Sequence, residues 1–514
     1  NEGTLRLGAN SVLTNSITLA GGILDIDTYN STVRTVTVTN GGIIGTTGIL
    51  TADSYFVTNT SGTTTFTAQL AGSTDQTSLI KTGAGALILS GITSYQGGTF
   101  INEGTLRLGA NNVLANNRSI TIAGGILDID IYNNTVGAIT ITNGDIIGTT
   151  GILTADGYSV TNTSGTTTLA AQLAGSTDQT SLIKTGAGTL ILSGITSYQG
   201  GTVINEGTLR LGVNNSLITT GTVTVAGGVL DIDTYNNTVN TISLTRGSII
   251  GTTGTLTATN YSIVTDSATT STISAQLAGG SLTKSGEGIL ILSGANTYTG
   301  DTIIAGGTLK LGLTNTLPIN SPITLDGTLD LNGNSLTLIS IKETAAGQGR
   351  ITNSAAENAT LVINNSEDLT FHSIIENGPG TLGLTKTGSG TLTLSGINTY
   401  TGETIISGGT VAITQIENLG RGNISLNQGT LQVTAHSVDF AERTITITGS
   451  STLTAPAGVN LSGGLWVAGG QTLTLAGGGG FSLTNTANDF GTIIINGNNV
   501  ALMDKNDLIL GTIS

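Results

Sequence analysis

The octapeptide Asn102-Glu-Gly-Thr-Leu-Arg-Leu-Gly109 occurs three times in this chain, and its repetition is the strongest indication of the architecture. The other two copies begin at Asn1 and Asn205, so the spacings are 101 and 103 residues, and a looser copy spans 305–312. A second motif, Lys-(Thr/Ser)-Gly-x-Gly, keeps the same period and begins at Lys81, Lys184, Lys284 and Lys386. A fixed period predicts stacked units that bury their apolar faces on one another.

Composition favours a β-rich, extended protein and excludes several functional classes. The 514 residues include 77 Gly, 4 Pro and no Cys, which removes disulfides, thiolate catalysis and zinc-thiolate sites. The net charge of −15 repels phosphates, and aromatic residues are only 4%, so nucleic acid is not expected as a partner. Every apolar run is shorter than the roughly 20 residues of a membrane helix, so we expect no direct membrane insertion by this segment.

The repeated motifs read as short strands that bury one face. In Thr391-Leu-Thr-Leu394 and its counterpart Thr189-Leu-Ile-Leu192, leucine keeps alternate positions while the intervening positions vary. Such two-residue alternation is typical of a strand with one buried face. Asn-Gly pairs, as at Asn40 and Asn143, supply turns between these runs.

Two β architectures fit this pattern, an array of sandwich domains and a β-solenoid. Gly-Thr-Leu patterns also recur at shorter distances within each unit, and no linkers separate the units, which favours the solenoid. We therefore predict an all-β, right-handed parallel β-helix of roughly 20–25 residues per coil, with four or five coils per super-repeat, forming an elongated rod. Residues 1–412 form the repetitive β-helix in this prediction. Residues 413–514 are its divergent continuation and a candidate cap.

One stretch of about thirty residues carries a family resemblance. Leu282-Thr-Lys-Ser-Gly-Glu-Gly-Ile-Leu-Ile-Leu-Ser-Gly-Ala-Asn-Thr-Tyr-Thr-Gly300, with the following 301–311, resembles the autotransporter-associated β-strand repeat. Similar copies span Leu79–Leu108, Leu182–Leu211 and Leu384–Val411. The resemblance implies a passenger domain of a bacterial autotransporter (type V secretion), displayed at the cell surface as a β-helix.

Three Asp-Ile-Asp motifs form the most conspicuous acidic pattern: Asp25 and Asp27, Asp128 and Asp130, and Asp231 and Asp233. Alternation places both carboxylates of a pair on the outer face. Paired carboxylates are compatible with calcium binding or acid–base catalysis, whereas a solvated strand face that deters lateral sheet association is the simpler interpretation. We predict the solvated face, and the sequence leaves calcium open.

Three other sets of residues recur once per super-repeat. The lysines Lys81, Lys184, Lys284 and Lys386 precede turn glycines and are expected to contact carbonyl groups or solvent. The tyrosines Tyr95, Tyr198, Tyr298 and Tyr400 are interpreted as corner residues that cover the apolar interior, with a row of sugar-binding platforms as the alternative. Glu2, Glu103 and Glu206 lie in identical contexts, which disfavours a unique active site.

An enzyme remains the alternative from a different class, because solenoids also host polysaccharide lyases and hydrolases. The two histidines are His372 and His436, and His372 lies near Glu367 and Asp368 in the divergent stretch 341–376. A single histidine is more often an exposed loop residue, so we predict no catalytic, cofactor-binding or metal-binding residues, and no cofactor.

The sequence thus predicts a non-enzymatic, extracellular, adhesin-like rod at the bacterial cell surface that displays repeated weak binding surfaces. Expected partners are a host-cell or matrix surface, a glycan or other bacterial cells. The alternative within binding proteins is a self-assembling filament or surface-layer subunit, and a carbohydrate-active β-helix enzyme is the less favoured hypothesis.

Overall fold

A computed structural model describes residues 2–314, 316–435, 438–440, 443–455, 459–478, 480–496, 500–503, 505 and 510–513. His436 lies outside these residues. The chain divides into two compact units, Asn1–Thr259 and Asn260–Ser514. Each unit is a parallel β-solenoid, which confirms the predicted fold class.

The strands of the first unit are short and follow one another closely. They are Thr4–Arg6, Ile17–Asp25, Ser31–Thr32, Thr35–Ile44, Ile49–Ala52, Ser54–Val57, Thr63–Phe66, Gln69–Gly72, Leu79–Lys81, Ala86–Leu89, Thr99–Ile101, Thr105–Leu108, Ile120–Asp128, Asn134–Thr135, Ile139–Ile147, Ile152–Ala155, Tyr158–Val160, Thr166–Leu169, Gln172–Gly175, Leu182–Lys184, Thr189–Leu192, Thr202–Ile204, Thr208–Leu211, Thr222–Asp231 and Asn237–Ile250.

From residue 255 onward the chain again forms short, closely spaced strands. Its strands are Thr255–Val264, Thr270–Ile273, Gln276–Ser285, Ile289–Leu292, Thr302–Ile304, Thr308–Leu311, Ile323–Leu325, Thr328–Asp330, Leu336–Leu338, Ile341–Lys342, Arg350–Thr352, Ala359–Asn364, Leu369–Phe371, Ile374–Ile375, Leu382–Thr387, Thr391–Leu394, Thr404–Ile406, Thr410–Ile413, Ile424–Asn427, Thr430–Val433, Val438–Asp439, Ile445–Gly449, Ser451–Thr454, Val459–Asn460, Leu465–Val467, Thr472–Ala476, Phe481–Leu483, Thr492–Asn496, Val500–Leu502 and Leu510–Ile513. A single turn of 3₁₀ helix spans Ile416–Asn418. Among the described residues, no helix has the length and apolar character that a membrane crossing requires.

The strand register gives the size of a coil and the number of coils per super-repeat. Successive partners in the first unit lie 19 to 24 residues apart, in line with the predicted coil length. Five such steps lead from Leu5 through Leu24, Ile43, Phe66 and Leu89 to Leu108. The super-repeat of about a hundred residues is therefore five coils, which agrees with the prediction.

Parallel pairing rejects the sandwich alternative, because immunoglobulin-like sandwiches are built from antiparallel sheets. In Ala86–Leu89 the two leucines are fully buried while Ala86 and Ile88 are partly exposed, as the alternation predicted. Parallel pairing continues beyond residue 413, where the strand Thr410–Ile413 pairs with Thr430–Val433. The proposed boundary at 412/413, with a cap beyond it, stays a prediction.

Candidate functional site

The two repeated motifs meet at one turn, which we call the lysine turn and define by Lys81, Thr82, Gly83, Glu103 and Gly104. Lys81 ends the strand Leu79–Lys81, and its side chain is fully buried. Its Nζ donates to the carbonyl oxygens of Thr82, Gly83 and Glu103 at 2.9, 2.5 and 3.3 Å. The backbone N–H of Gly83 donates to Glu103 Oε2 at 3.2 Å. The lysine thus joins one coil to the next.

The glycine of the octapeptide is required by this arrangement. Gly104 has a φ of +65°, which favours glycine, and a Cβ there would lie 2.3 Å from Gly85 O and 2.8 Å from Lys81 Nζ. Equivalent turns form at Lys184 with Gly207, Lys284 with Gly307 and Lys386 with Gly409. Of the two contacts expected for these lysines, carbonyl groups or solvent, the structure shows the carbonyl contacts, and all four side chains are buried.

Burial changes the pKa of these lysines. Desolvation lowers the pKa of Lys81 to about 8, against a smaller upward effect of the nearby Glu103 carboxylate. Lys184 and Lys284 behave in the same way, with pKa values of about 8. Since each Nζ is enclosed by backbone carbonyls, we assign the group a structural role.

The four repeated tyrosines are interior residues, so the interpretation as corner residues is supported and the sugar platform is not. Tyr95 is completely buried, and its hydroxyl shares a hydrogen bond of 2.7 Å with Thr99 Oγ1. Tyr198, Tyr298 and Tyr400 form the same pair with Thr202, Thr302 and Thr404. Burial raises the pKa of Tyr95 to about 12. A buried ring cannot stack on an external sugar.

The Asp-Ile-Asp motifs lie outside the core, as predicted, but an arginine of the preceding coil binds both carboxylates. Arg107 and Asp128 are register partners, and Arg107 Nε lies 3.5 Å from Asp128 Oδ2. Arg107 Nη2 lies 2.7 Å from Asp130 Oδ2, and this contact lowers the pKa of Asp130. Asp130 has a φ of +47°, and its N–H donates to Asp128 Oδ1.

The same arrangement occurs in the other copies, and it weakens the calcium interpretation. Arg6 binds Asp25 and Asp27, Arg210 binds Asp231 and Asp233, and Lys310 lies 3.6 Å from Asp330. Sequence reasoning missed the arginine, although Arg107 precedes Asp128 by about one coil and so offered a signal. No group of three or more potential metal-ligating side chains occurs within the described residues.

The divergent stretch 341–376 contains a pair that the sequence did not reveal. His372 Nδ1 lies 3.0 Å from Glu343 Oε2, and the backbone N–H of Ser373 donates to Glu343 Oε1 at 2.7 Å. The predicted neighbours act elsewhere: Asp368 Oδ1 accepts from the N–H of Thr391. Glu343 is 29 residues from His372, so only the coil geometry could bring them together.

Among the exposed apolar side chains, one set of isoleucines recurs at the same position of the repeat. Ile92, Ile195 and Ile397 follow the Ser-Gly pair before each buried tyrosine, and they are 58%, 57% and 59% exposed. In the copy that contains Tyr298, the position holds Ala295. A shallow open recess of about 260 Å³ lies beside the next residues along the chain, and its lining includes Ser94, Gln96 and Arg118.

The chain is a parallel β-solenoid with an internal repeat, and the stretches that contain its four lysine turns match a known family of repeats. The sequence model of the passenger-associated-transport-repeat family matches residues 79–108, 182–211, 206–232, 282–311 and 384–413. Four of these matches cover the copies found by inspection, and the match at 206–232 was missed. The chain therefore carries the repeats of autotransporter passengers.

Among curated proteins, the chain is similar to the adhesin BmaC autotransporter of Brucella suis biovar 1 (strain 1330). The two are 27% identical over 430 residues, which covers 69% of this chain and 12% of the relative. The aligned part is thus a small fraction of the relative's length. No solved structure matches the chain.

Proposed function

We propose that this chain is a non-enzymatic, adhesin-like passenger segment that presents repeated weak binding surfaces outside a bacterial cell. The similarity to an autotransporter adhesin and the passenger-associated repeats support the adhesin-like class. The proposed targets are a host-cell or matrix surface, a glycan or another bacterial cell.

One observation carries the proposal: the repeated polar residues serve internal contacts, while the repeated isoleucines are more than half exposed. Lys81, Tyr95 and Arg107 each hold one part of the chain to another. Ile92 and its counterparts Ile195 and Ile397 extend into solvent although they are apolar. Full burial of a fully exposed isoleucine contributes roughly 1.5–3 kcal/mol. Because these side chains are already partly covered, burying one on a partner contributes only about 1 kcal/mol, and each copy is a weak contact point.

Repetition would make such weak contacts useful. Ile92 and Ile195 are five coils apart, a separation of about 24 Å at the spacing of neighbouring strands. A surface that offers a ligand at many points could engage several copies at once. The second contact is then intramolecular, and avidity can exceed the single affinity by about a hundredfold.

The test replaces the isoleucines in the full chain, singly and together, with serine. Binding to cultured host cells, to immobilised matrix and to glycans is measured as an apparent Kd. We expect Ile92→Ser to weaken binding only a few-fold and the triple variant with Ile195→Ser and Ile397→Ser to weaken it by about a hundredfold.

Ile131 provides the matched control. It is 56% exposed, yet the other two copies of its segment carry Thr28 and Thr234, so it is not part of a repeated apolar set. Ile131→Ser should leave binding unchanged. Undiminished binding by the triple variant, or an equal loss in Ile131→Ser, would contradict the proposal. Release of new reducing ends from an incubated glycan would restore the enzyme hypothesis, and filaments in negative-stain images would favour self-association.

A further inference from the structure

Two Asn-Gly pairs occupy the same place in the first and second super-repeats, at a bulge in a long strand. Asn40 and Gly41 lie in Thr35–Ile44, and Asn143 and Gly144 lie in Ile139–Ile147. Both asparagines are exposed. Ala20 pairs with Asn40 and Ile23 with Gly42, so the register passes over Gly41.

The bulge directs the glycine nitrogen toward the preceding side chain. The N–H of Gly41 donates to Asn40 Oδ1 at 2.9 Å, and the N–H of Gly144 donates to Asn143 Oδ1 at 3.0 Å. The backbone nitrogen is therefore adjacent to the side-chain amide carbon of the preceding residue. This is the pair of atoms that must join for an asparagine to cyclise.

We propose that Asn40 and Asn143 are sites of spontaneous deamidation built into the first two super-repeats. A base in solvent removes the proton from the Gly41 nitrogen, which forms a bond to Asn40 Cγ. The Cγ–Nδ2 bond breaks, and Nδ2 takes up a proton and leaves as ammonia. Water then opens the resulting succinimide to aspartate or isoaspartate. The net reaction consumes one water, releases one ammonia and adds one carboxylate.

The fold requires the glycine but not the asparagine. A Cβ at Gly41 would lie 2.1 Å from Gly22 O, so close packing of neighbouring coils excludes other residues there. The third super-repeat has Arg246 before Gly247, whose φ of +101° matches the +102° of Gly41. An asparagine before this glycine is therefore a feature of the first two copies alone.

Two other Asn-Gly pairs in the chain serve as internal controls, because their side chains are held away from the following nitrogen. Asn332 Nδ2 donates to Leu311 O at 2.9 Å, and the N–H of Gly333 donates instead to Asn353 Oδ1 at 2.7 Å.

Asn377 is held at both ends of its amide. Its Nδ2 donates to Thr401 Oγ1 at 2.7 Å, and its Oδ1 accepts from the N–H of Leu382 at 2.8 Å. Rotation toward cyclisation would break these bonds at both Asn332 and Asn377, so their deamidation should be slow. The remaining pair begins at Asn496 and includes a residue outside the described range.

The test incubates the folded full chain in mildly alkaline buffer and follows peptides by mass spectrometry. Conversion adds about 1 Da, and isoaspartate is distinguished from aspartate by fragmentation. We expect Asn40 and Asn143 to convert at least about tenfold faster than Asn332 and Asn377, which corresponds to about 1.4 kcal/mol in activation free energy. The Asn40→Arg, Asn143→Arg variant copies the third super-repeat, and it should abolish the fast release of ammonia while remaining folded.

The chain unfolded in denaturant separates the effect of the fold from that of the dipeptide. There the four sites should convert at similar rates. Conversion at Asn40 and Asn143 no faster than at Asn332 and Asn377 in the folded chain would overturn the proposal. Persistence of the same rate order in the unfolded chain would overturn it too, since the selectivity would then not come from the bulge.

Discussion

Replacing the buried lysine of one lysine turn tests whether these repeated residues hold neighbouring coils together. Lys81→Met keeps an unbranched side chain that is one atom shorter, but it removes a donor to three carbonyl groups. Each lost bond leaves an acceptor without its partner, at a net cost of about 1 kcal/mol, so we expect a loss of about 3 kcal/mol in the free energy of unfolding. Exposed Lys342 provides the control, and Lys342→Met should cost less than about 0.5 kcal/mol.

The pH dependence provides a second and sharper readout. The folded-state pKa of Lys81 is about 8, and the ordinary value is 10.5. Between these values the unfolded chain binds the proton more strongly than the folded chain, so raising the pH favours folding of the wild type. The stability difference between the wild type and Lys81→Met should therefore grow by about 2 kcal/mol from about pH 8 to about pH 10.

Guanidinium unfolding followed by circular dichroism measures the difference, and hydrogen exchange in residues 79–108 locates it. The position of the loss must be measured because each coil of a solenoid contacts only its neighbours, and the chain need not unfold in a single cooperative transition. A loss as small as that of Lys342→Met would refute the assigned structural role. A difference that stays constant or shrinks as the pH rises would refute the reasoning on burial of the charge.

Three further expectations concern other parts of the repeat. Gly104→Ala should lower the free energy of unfolding by more than about 2 kcal/mol, because strain at φ +65° adds to a clash with Gly85 O. The control Gly62→Ala, at φ +69° with open space around it, should lower it by only about 1 kcal/mol. Equal losses in guanidinium unfolding would contradict the role of the close approach at Gly104. Tyr95→Phe should cost about 1 kcal/mol in the same assay, because it removes the bond to the buried Thr99 hydroxyl, and a neutral result would show that the bond is dispensable. Arg107→Ala should lower the free energy of unfolding by at most about 1 kcal/mol, and by less at high salt. Added calcium should leave the Tm of the wild type unchanged, and a marked rise in Tm would reinstate the metal site at the aspartate pairs.

The sequence predicted the fold because its repeats align the same residue types at the same strand positions. The leucines of Ala86–Leu89 and the following Thr105–Leu108 stack on each other in register, as alternation and period together required. The length of a coil followed from the same pattern, and Tyr95, which was expected to cover the apolar interior, is completely buried.

Contacts between coils were harder to predict, because they depend on which residues the register brings together. Nothing in the local sequence of Lys81 indicates that its ammonium group reaches the carbonyl of Glu103. The pairing of Glu343 with His372 likewise depends on a coil of irregular length in the divergent stretch. The exact offset between coils varies from 19 to 24 residues in the first unit, and sequence spacing alone does not fix it.

The five-coil period has a consequence at the level of the gene. Lys81 meets Glu103 in one copy and Lys184 meets Glu206 in the next, through the same set of atoms. Recombination that removed residues 103–205 would place Glu206 directly after residue 102, where it could replace Glu103 at the Lys81 turn. The coding sequence could therefore lose or gain super-repeats by unequal crossing-over without creating a mismatched junction, and alleles of different length would each specify a continuous ladder of coils.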